Sequence, residues 1–98
     1  MSSYPLTIRA EAAADIRNAY DWYQSQQPGL GLEFFIEVEI VFDRLRQFPE
    51  VHPIVYRDTR QALLRRFPYV VYYLFEQGRV EILAVFHASR DPETWRAE

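Results

Sequence analysis

Two turn signals, Phe67-Pro68 and Gln77-Gly78, divide the β-prone stretch from Leu63 to Trp95, and they constrain the fold more than any other feature of the chain. Pro68 has no backbone N–H to give a ladder and fixes its own φ, while Gly78 accepts the positive φ of a tight turn. Three consecutive strands are therefore predicted. With Gln77-Gly78 as a two-residue hairpin loop, Glu76 faces Arg79, Phe75 faces Val80, Tyr73 faces Ile82, Val71 faces Ala84 and Tyr69 faces Phe86. Strand alternation then collects Tyr69, Val71, Tyr73, Phe75, Val80, Ile82, Ala84 and Phe86 on one uncharged core face. Val70, Tyr72, Leu74, Leu83, Val85 and His87 fall on the other face, which is apolar near Pro68 and charged near Gly78.

The segments before the sheet have helical spacing. Ala12, Ile16, Ala19, Tyr20 and Tyr23 recur as one stripe between Ala10 and Gln27, with Asp15, Arg17 and Asp21 placed mostly outward. Gln27-Pro28-Gly29-Leu30-Gly31 ends that helix. From Leu32 to Phe48 a second helix carries Leu32, Phe35, Val38, Phe42 and Leu45, flanked by Phe34, Val41 and Phe48, an apolar surface wide enough to need two neighbours. Tyr4 to Arg9 suits a short edge strand, and Pro49 to Arg60 a loop with an extended piece at Ile54 to Tyr56. Asp91-Pro92-Glu93 supplies an N-cap, a first-turn proline and a first-turn acid, predicting a short C-terminal helix that carries Trp95. The order is β-α-α-β-β-β-α. This is an α+β fold, with an N-terminal edge strand and an αα hairpin packed on a mainly antiparallel sheet, at Val71, Tyr73, Ile82 and Ala84.

At 98 residues the chain is predicted to form one domain, 1–98, with a single core. Cysteine is absent, which excludes disulfides, thiolate metal sites and cysteine nucleophiles. With no secretory, transit or membrane-spanning stretch, a soluble cytoplasmic protein with no membrane association is expected. All eleven basic residues are arginine and the net charge is −3, so strong direct nucleic-acid binding through bulk electrostatics is not expected. Residues 1–51 hold four arginines against eight acids, and residues 52–98 hold seven against six, so an anionic partner would meet the second half.

His87, Arg90 and Asp91 form the most suggestive polar constellation, an imidazole for proton transfer beside a guanidinium for a phosphate. The competing reading is a strand-end histidine, a helix-capping aspartate and a solvated arginine. Arg57, Arg60, Arg65 and Arg66 make either an anion-binding patch or a solvated basic edge, and pairing through Phe67-Pro68 would set Arg65 on the face of Tyr72 and His87. His52 and His87 are the only histidines, too few and too widely spaced for a metal site, and no fingerprint for a phosphate or dinucleotide cofactor is present.

The run Arg-Arg-Phe-Pro-Tyr-Val-Val-Tyr-Tyr, followed by Val80-x-Ile82-x-Ala84-Val85-x-His87-x-x-Arg90-Asp91-Pro92-x-x-Trp95, resembles the ParE branch of the RelE/ParE toxin superfamily. The helical run Asp-Ile-x-x-Ala-Tyr-Asp-Trp-Tyr from Asp15 to Tyr23 is similar to it as well. The resemblance implies the toxin of a type II toxin-antitoxin or plasmid stabilisation system, needing no cofactor, with a ParD-like antitoxin as partner and DNA gyrase as target. RelE-like members instead cut ribosome-bound messenger RNA. Their pattern has an arginine after the tyrosine that opens the middle strand, where this chain has Val70. Its preceding-strand lysines fall on Gln61 and Leu63, its later arginine on Arg90 and its terminal tyrosine on Arg96. The resemblance therefore implies a protein inhibitor whose partner-binding residues are Arg65, Arg66, Arg90 and Trp95. An endoribonuclease built on His87, Arg90 and Arg65, and a non-toxic antitoxin-binding relic, are the alternatives.

Overall fold

The computed structural model describes residues 3–90, so the expected C-terminal helix, and Asp91 and Trp95 with it, lie outside the described residues. Within that span β1 (Leu6–Ile8) is followed by α1 (Ala10–Gln26), α2 (Leu30–Gln47), β2 (Ile54–Tyr56), β3 (Thr59–Leu63), β4 (Tyr69–Glu76) and β5 (Arg79–His87). The strands form one sheet in the order β1-β5-β4-β3-β2. All contacts between neighbours are antiparallel except that of β1, which runs parallel to β5 from Leu6 opposite Val80 to Ile8 opposite Ile82. The α+β class, the edge strand and the helical hairpin are as the sequence predicts, and the extended piece at Ile54 to Tyr56 is a true edge strand.

Gln77 and Gly78 both take positive φ, 53° and 70°, and make the two-residue turn between β4 and β5. From that turn the predicted pairs Glu76–Arg79, Phe75–Val80 and Tyr73–Ile82 are present. Beyond them the register changes. Tyr72 lies opposite Ala84, Val71 opposite Val85, Val70 opposite Phe86 and Tyr69 opposite His87, so Leu83 is an extra residue in β5. An inserted residue reverses the facing of everything after it. Val71, Tyr73 and Ile82 join the helix-side core as predicted, but Ala84 and Phe86 do not, and Val85 takes the expected place of Ala84. Ala84 and Phe86 instead form a second cluster with Val70, Tyr72 and Val55 on the far face. The same reversal moves His87 to the helix side, beside Tyr69 and off the face of Tyr72.

The hairpin is set by a close approach. A Cβ at Gly31 would lie 2.7 Å from the carbonyl oxygen of Tyr20 and 2.9 Å from Oε1 of Gln24, so only glycine lets α2 start this near α1. Gln24 Oε1 in turn accepts the N–H groups of Gly29 (3.2 Å) and Gly31 (3.1 Å). Below this contact Tyr23, Phe34, Phe67 and Tyr69 pack edge to face, with ring centroids between 4.9 and 6.1 Å apart, and tie both helices to the β3–β4 turn. Phe34, Val38, Phe42 and Leu45 bury the inner face of α2. Its outer face has no second neighbour among the described residues: Leu32 (53%), Phe35 (41%), Ile36 and Ile40 are exposed.

Candidate functional site

The polar residues collect where β5 ends. The Arg90 N–H donates to the carbonyl of His87 (2.9 Å), a turn that folds the chain back and lays the Arg90 guanidinium over the Phe86 ring, 4.1 Å from its centroid. His87 Nδ1 accepts the backbone N–H of Ser89 (3.1 Å) and lies 2.8 Å from its hydroxyl. An Nδ1 that accepts an N–H leaves the proton of the neutral imidazole on Nε2. The His87 ring also packs edge-on against Tyr69, 5.3 Å away.

Helix α1 closes this region from the other side. Asp15, Asn18, Ala19 and Trp22 line a concavity of about 290 Å³ together with Tyr69, Val85, His87 and Arg90. One carboxylate oxygen of Asp15 accepts the backbone N–H of Val85 at 3.0 Å. Burial pushes the Asp15 carboxyl above its usual range, against the opposing pull of the Val85 N–H and of Arg90. Burial likewise raises the Tyr69 phenol, helped by the Asp15 charge, so that this phenol stays protonated at neutral pH. Asp15 is thus a half-buried residue of the site and not an outward one. Its spacing, three residues after Ala12 and four before Ala19, is the signal that places it on the inner face. Asn18 and Trp22 continue the same side at i+3 and i+7.

The arginines are spread over separate duties. Arg60 donates from one guanidinium nitrogen to the carbonyls of Glu50 (3.1 Å) and His52 (2.7 Å) and so secures the loop before β2. The Arg66 guanidinium pairs with Glu33, and the Arg66 backbone N–H donates to Glu37 Oε1 (2.8 Å), which ties the β3–β4 turn to α2. Arg57, at φ 51° in the β2–β3 turn, lies 5.3 Å from the Tyr56 ring centroid. Arg65 is exposed at the β3–β4 turn, beside Leu63 and Pro68. The structure brings His87 and Arg90 together in one concavity, while Arg65 and Arg66 line a separate one at the β3–β4 turn, with Tyr69 and Ala88. His52 stands alone under the Tyr73 ring, its imidazole made less basic by burial and by Arg44 and Arg60. Among the described residues no three His, Asp or Glu side chains converge to hold a metal ion.

A second concavity has the opposite character. Between α1 and α2 an open groove of about 540 Å³ is walled by Ile8, Ile16, Tyr20, Leu32, Phe35 and Phe42, with Arg17 and Glu39 at its rim. On the far face of the sheet Gln61 pairs with Tyr72 and Leu63 with Val70, beside the buried Val70–Tyr72–Phe86 cluster.

A hairpin of helices on a five-stranded sheet, with one apolar groove and one polar concavity on opposite flanks of α1, defines a small α+β domain. The chain belongs to the ParE toxin family of type II toxin-antitoxin systems, parDE, whose family model matches residues 6–92. Among solved structures it is similar to the chromosomal ParDE toxin-antitoxin system of P. aeruginosa, with TM-score 0.65 and 19% identity over 87% of this chain and 96% of that one. It is also similar to the RelBE2 toxin-antitoxin complex of Mycobacterium tuberculosis, with TM-score 0.60 and 23% identity over 87% of this chain and 98% of that one. At these identities the likeness to solved structures speaks for the fold alone. A search of curated protein sequences gives no match. Among the described residues no helix is long and apolar enough to cross a membrane.

Proposed function

We propose that this ParE-family toxin acts as a non-catalytic protein inhibitor of DNA gyrase, and that a ParD-like antitoxin neutralises it by laying an apolar helix into the groove between α1 and α2. The observation that carries the partner is the exposure of Leu32, Phe35, Ile36 and Ile40 on one side of α2. A helix that leaves such a face in water gains by covering it, and an amphipathic segment with apolar residues at i, i+3 and i+4 fits a groove of this form. A tail that folds on arrival fits an unlidded groove.

The choice of inhibitor over nuclease rests on the far face of the sheet. Cleaving RNA through its 2′-hydroxyl needs a base, cations on the phosphate and an acid for the leaving oxygen. The positions where RelE-like nucleases carry those cations hold Gln61, Leu63 and Val70 here, and Val70 lies in an apolar cluster 6% exposed. Each lost phosphate clamp removes roughly 3 kcal/mol of transition-state stabilisation. His87 and Arg90 favour the nuclease reading, but Gln61, Leu63 and Val70 leave them without the strand cations of that pattern.

The docking claim is tested with the product of the neighbouring small open reading frame. Phe35→Asp, at an exposed groove position, should weaken its binding by about thirtyfold or more, while Leu63→Asp, more exposed and on the far face of the sheet, should not. Equal affinity of wild type and Phe35→Asp would place the antitoxin elsewhere.

A further inference from the structure

We propose that the polar concavity at the end of β5 is a binding site for a guanine base bearing a phosphate, either as a free mononucleotide or unpaired in a single strand. The site shares no lining residue with the apolar groove, and its volume of about 290 Å³ suits one nucleotide and excludes a helix. Trp22 on its wall is 57% exposed, so this indole spends little of its surface on the core and presents a plate on which a base can stack.

Asp15 supplies the choice of base. Its Oδ2 is occupied by the Val85 N–H at 3.0 Å, which fixes the carboxylate and leaves its second oxygen to accept from a ligand. Guanine presents two adjacent donors, N1–H and the exocyclic N2 amino group, to such an acceptor. Adenine and cytosine present a ring acceptor in the corresponding place, and uracil flanks its one donor with two carbonyls. The Nε2–H of His87, set by the Ser89 N–H bond to Nδ1, and the guanidinium of Arg90 offer a donor and a cation for the sugar and phosphate oxygens. Arg90 is exposed, so its contact with the phosphate should weaken as salt rises, while stacking and edge contacts, which set the base preference, should not.

The test is isothermal titration calorimetry of the full chain with GMP, AMP, CMP, UMP and XMP, at two salt concentrations. GMP should bind at least about tenfold tighter than AMP, CMP or UMP. In Asp15→Asn the amide oxygen can keep the Val85 N–H while its NH₂ faces the ligand. That variant should lose the GMP preference and favour XMP, whose C2 carbonyl accepts where guanine donates. Trp22→Leu, at an exposed position, should weaken GMP by about tenfold without changing the order of bases. A thymidine octamer carrying one guanine separates the two sources: tighter binding than GMP marks a strand ligand, and weaker binding a free nucleotide. Equal binding of the four common nucleotides, no saturable binding of GMP or of the guanine-bearing octamer at millimolar ligand, or an unchanged base order in a folded Asp15→Asn would overturn the proposal.

Discussion

Asp15 of α1 accepts the backbone N–H of Val85 at 3.0 Å, just past the point where β5 takes up its extra residue. β1 pairs with β5 only as far as Ile82, so that edge of β5 has no strand beyond it, and a carboxylate from the packed helix meets the Val85 N–H. Asp15→Ala should therefore destabilise the fold by about 1–3 kcal/mol, and Asp15→Asn by less, because its amide oxygen can accept the same N–H. Urea denaturation of the two variants checks the order.

The same carboxylate gives a pH dependence of known sign. Its folded pKa is raised by burial, so its contribution is complete below the unfolded value near 3.8 and is lost as pH rises through the folded value. Wild type should gain stability relative to Asp15→Asn between about pH 7 and about pH 3. A constant difference between the two across that range would show that Asp15 does not titrate abnormally.

Tyr73 makes a matching prediction at alkaline pH. It is fully buried, donates its hydroxyl to the Pro49 carbonyl at 2.7 Å, and burial pushes its phenol from 10.0 to about 12. Between those values the unfolded chain ionises while the folded one keeps its proton, so stability conferred below pH 10 is lost as pH approaches 12. Tyr73→Phe should cost about 1 kcal/mol at neutral pH and flatten that alkaline limb. Thermal melts of both proteins across the range measure it.

Gly31→Ala tests the hairpin. The new Cβ would fall 2.7 Å from a backbone oxygen of α1, which cannot swing away as a side chain can. Destabilisation by about 1–3 kcal/mol is expected despite the better helix propensity of alanine, and a stabilised variant would contradict the close approach.

These residues mark where the sequence is legible. The Gln77-Gly78 turn and the pairs nearest to it follow from glycine chemistry and alternation, and the helical hairpin from apolar spacing around Pro28. The bulge does not, because Ile82-Leu83-Ala84-Val85-Phe86 is apolar throughout, and a run without alternation carries no record of an inserted residue. The strand errors at the site follow from that one slip: Ala84 and Val85 exchange faces, and His87 moves from the side of Tyr72 to that of Tyr69. The exposure of Leu32 and Phe35 was likewise illegible, since the sequence gives the width of an apolar surface and not the number of its neighbours. Asp15, Asn18 and Trp22 were legible by spacing, but acidic and amide side chains read as solvent-facing unless a backbone donor across the interface is known.

Inhibition of DNA gyrase by the toxin is read by a supercoiling assay with folded toxin freed of its antitoxin. Supercoiling by DNA gyrase should be inhibited at micromolar toxin and restored by adding the antitoxin. Undiminished supercoiling, together with cleavage of ribosome-bound messenger RNA that His87→Ala abolishes, would contradict the account.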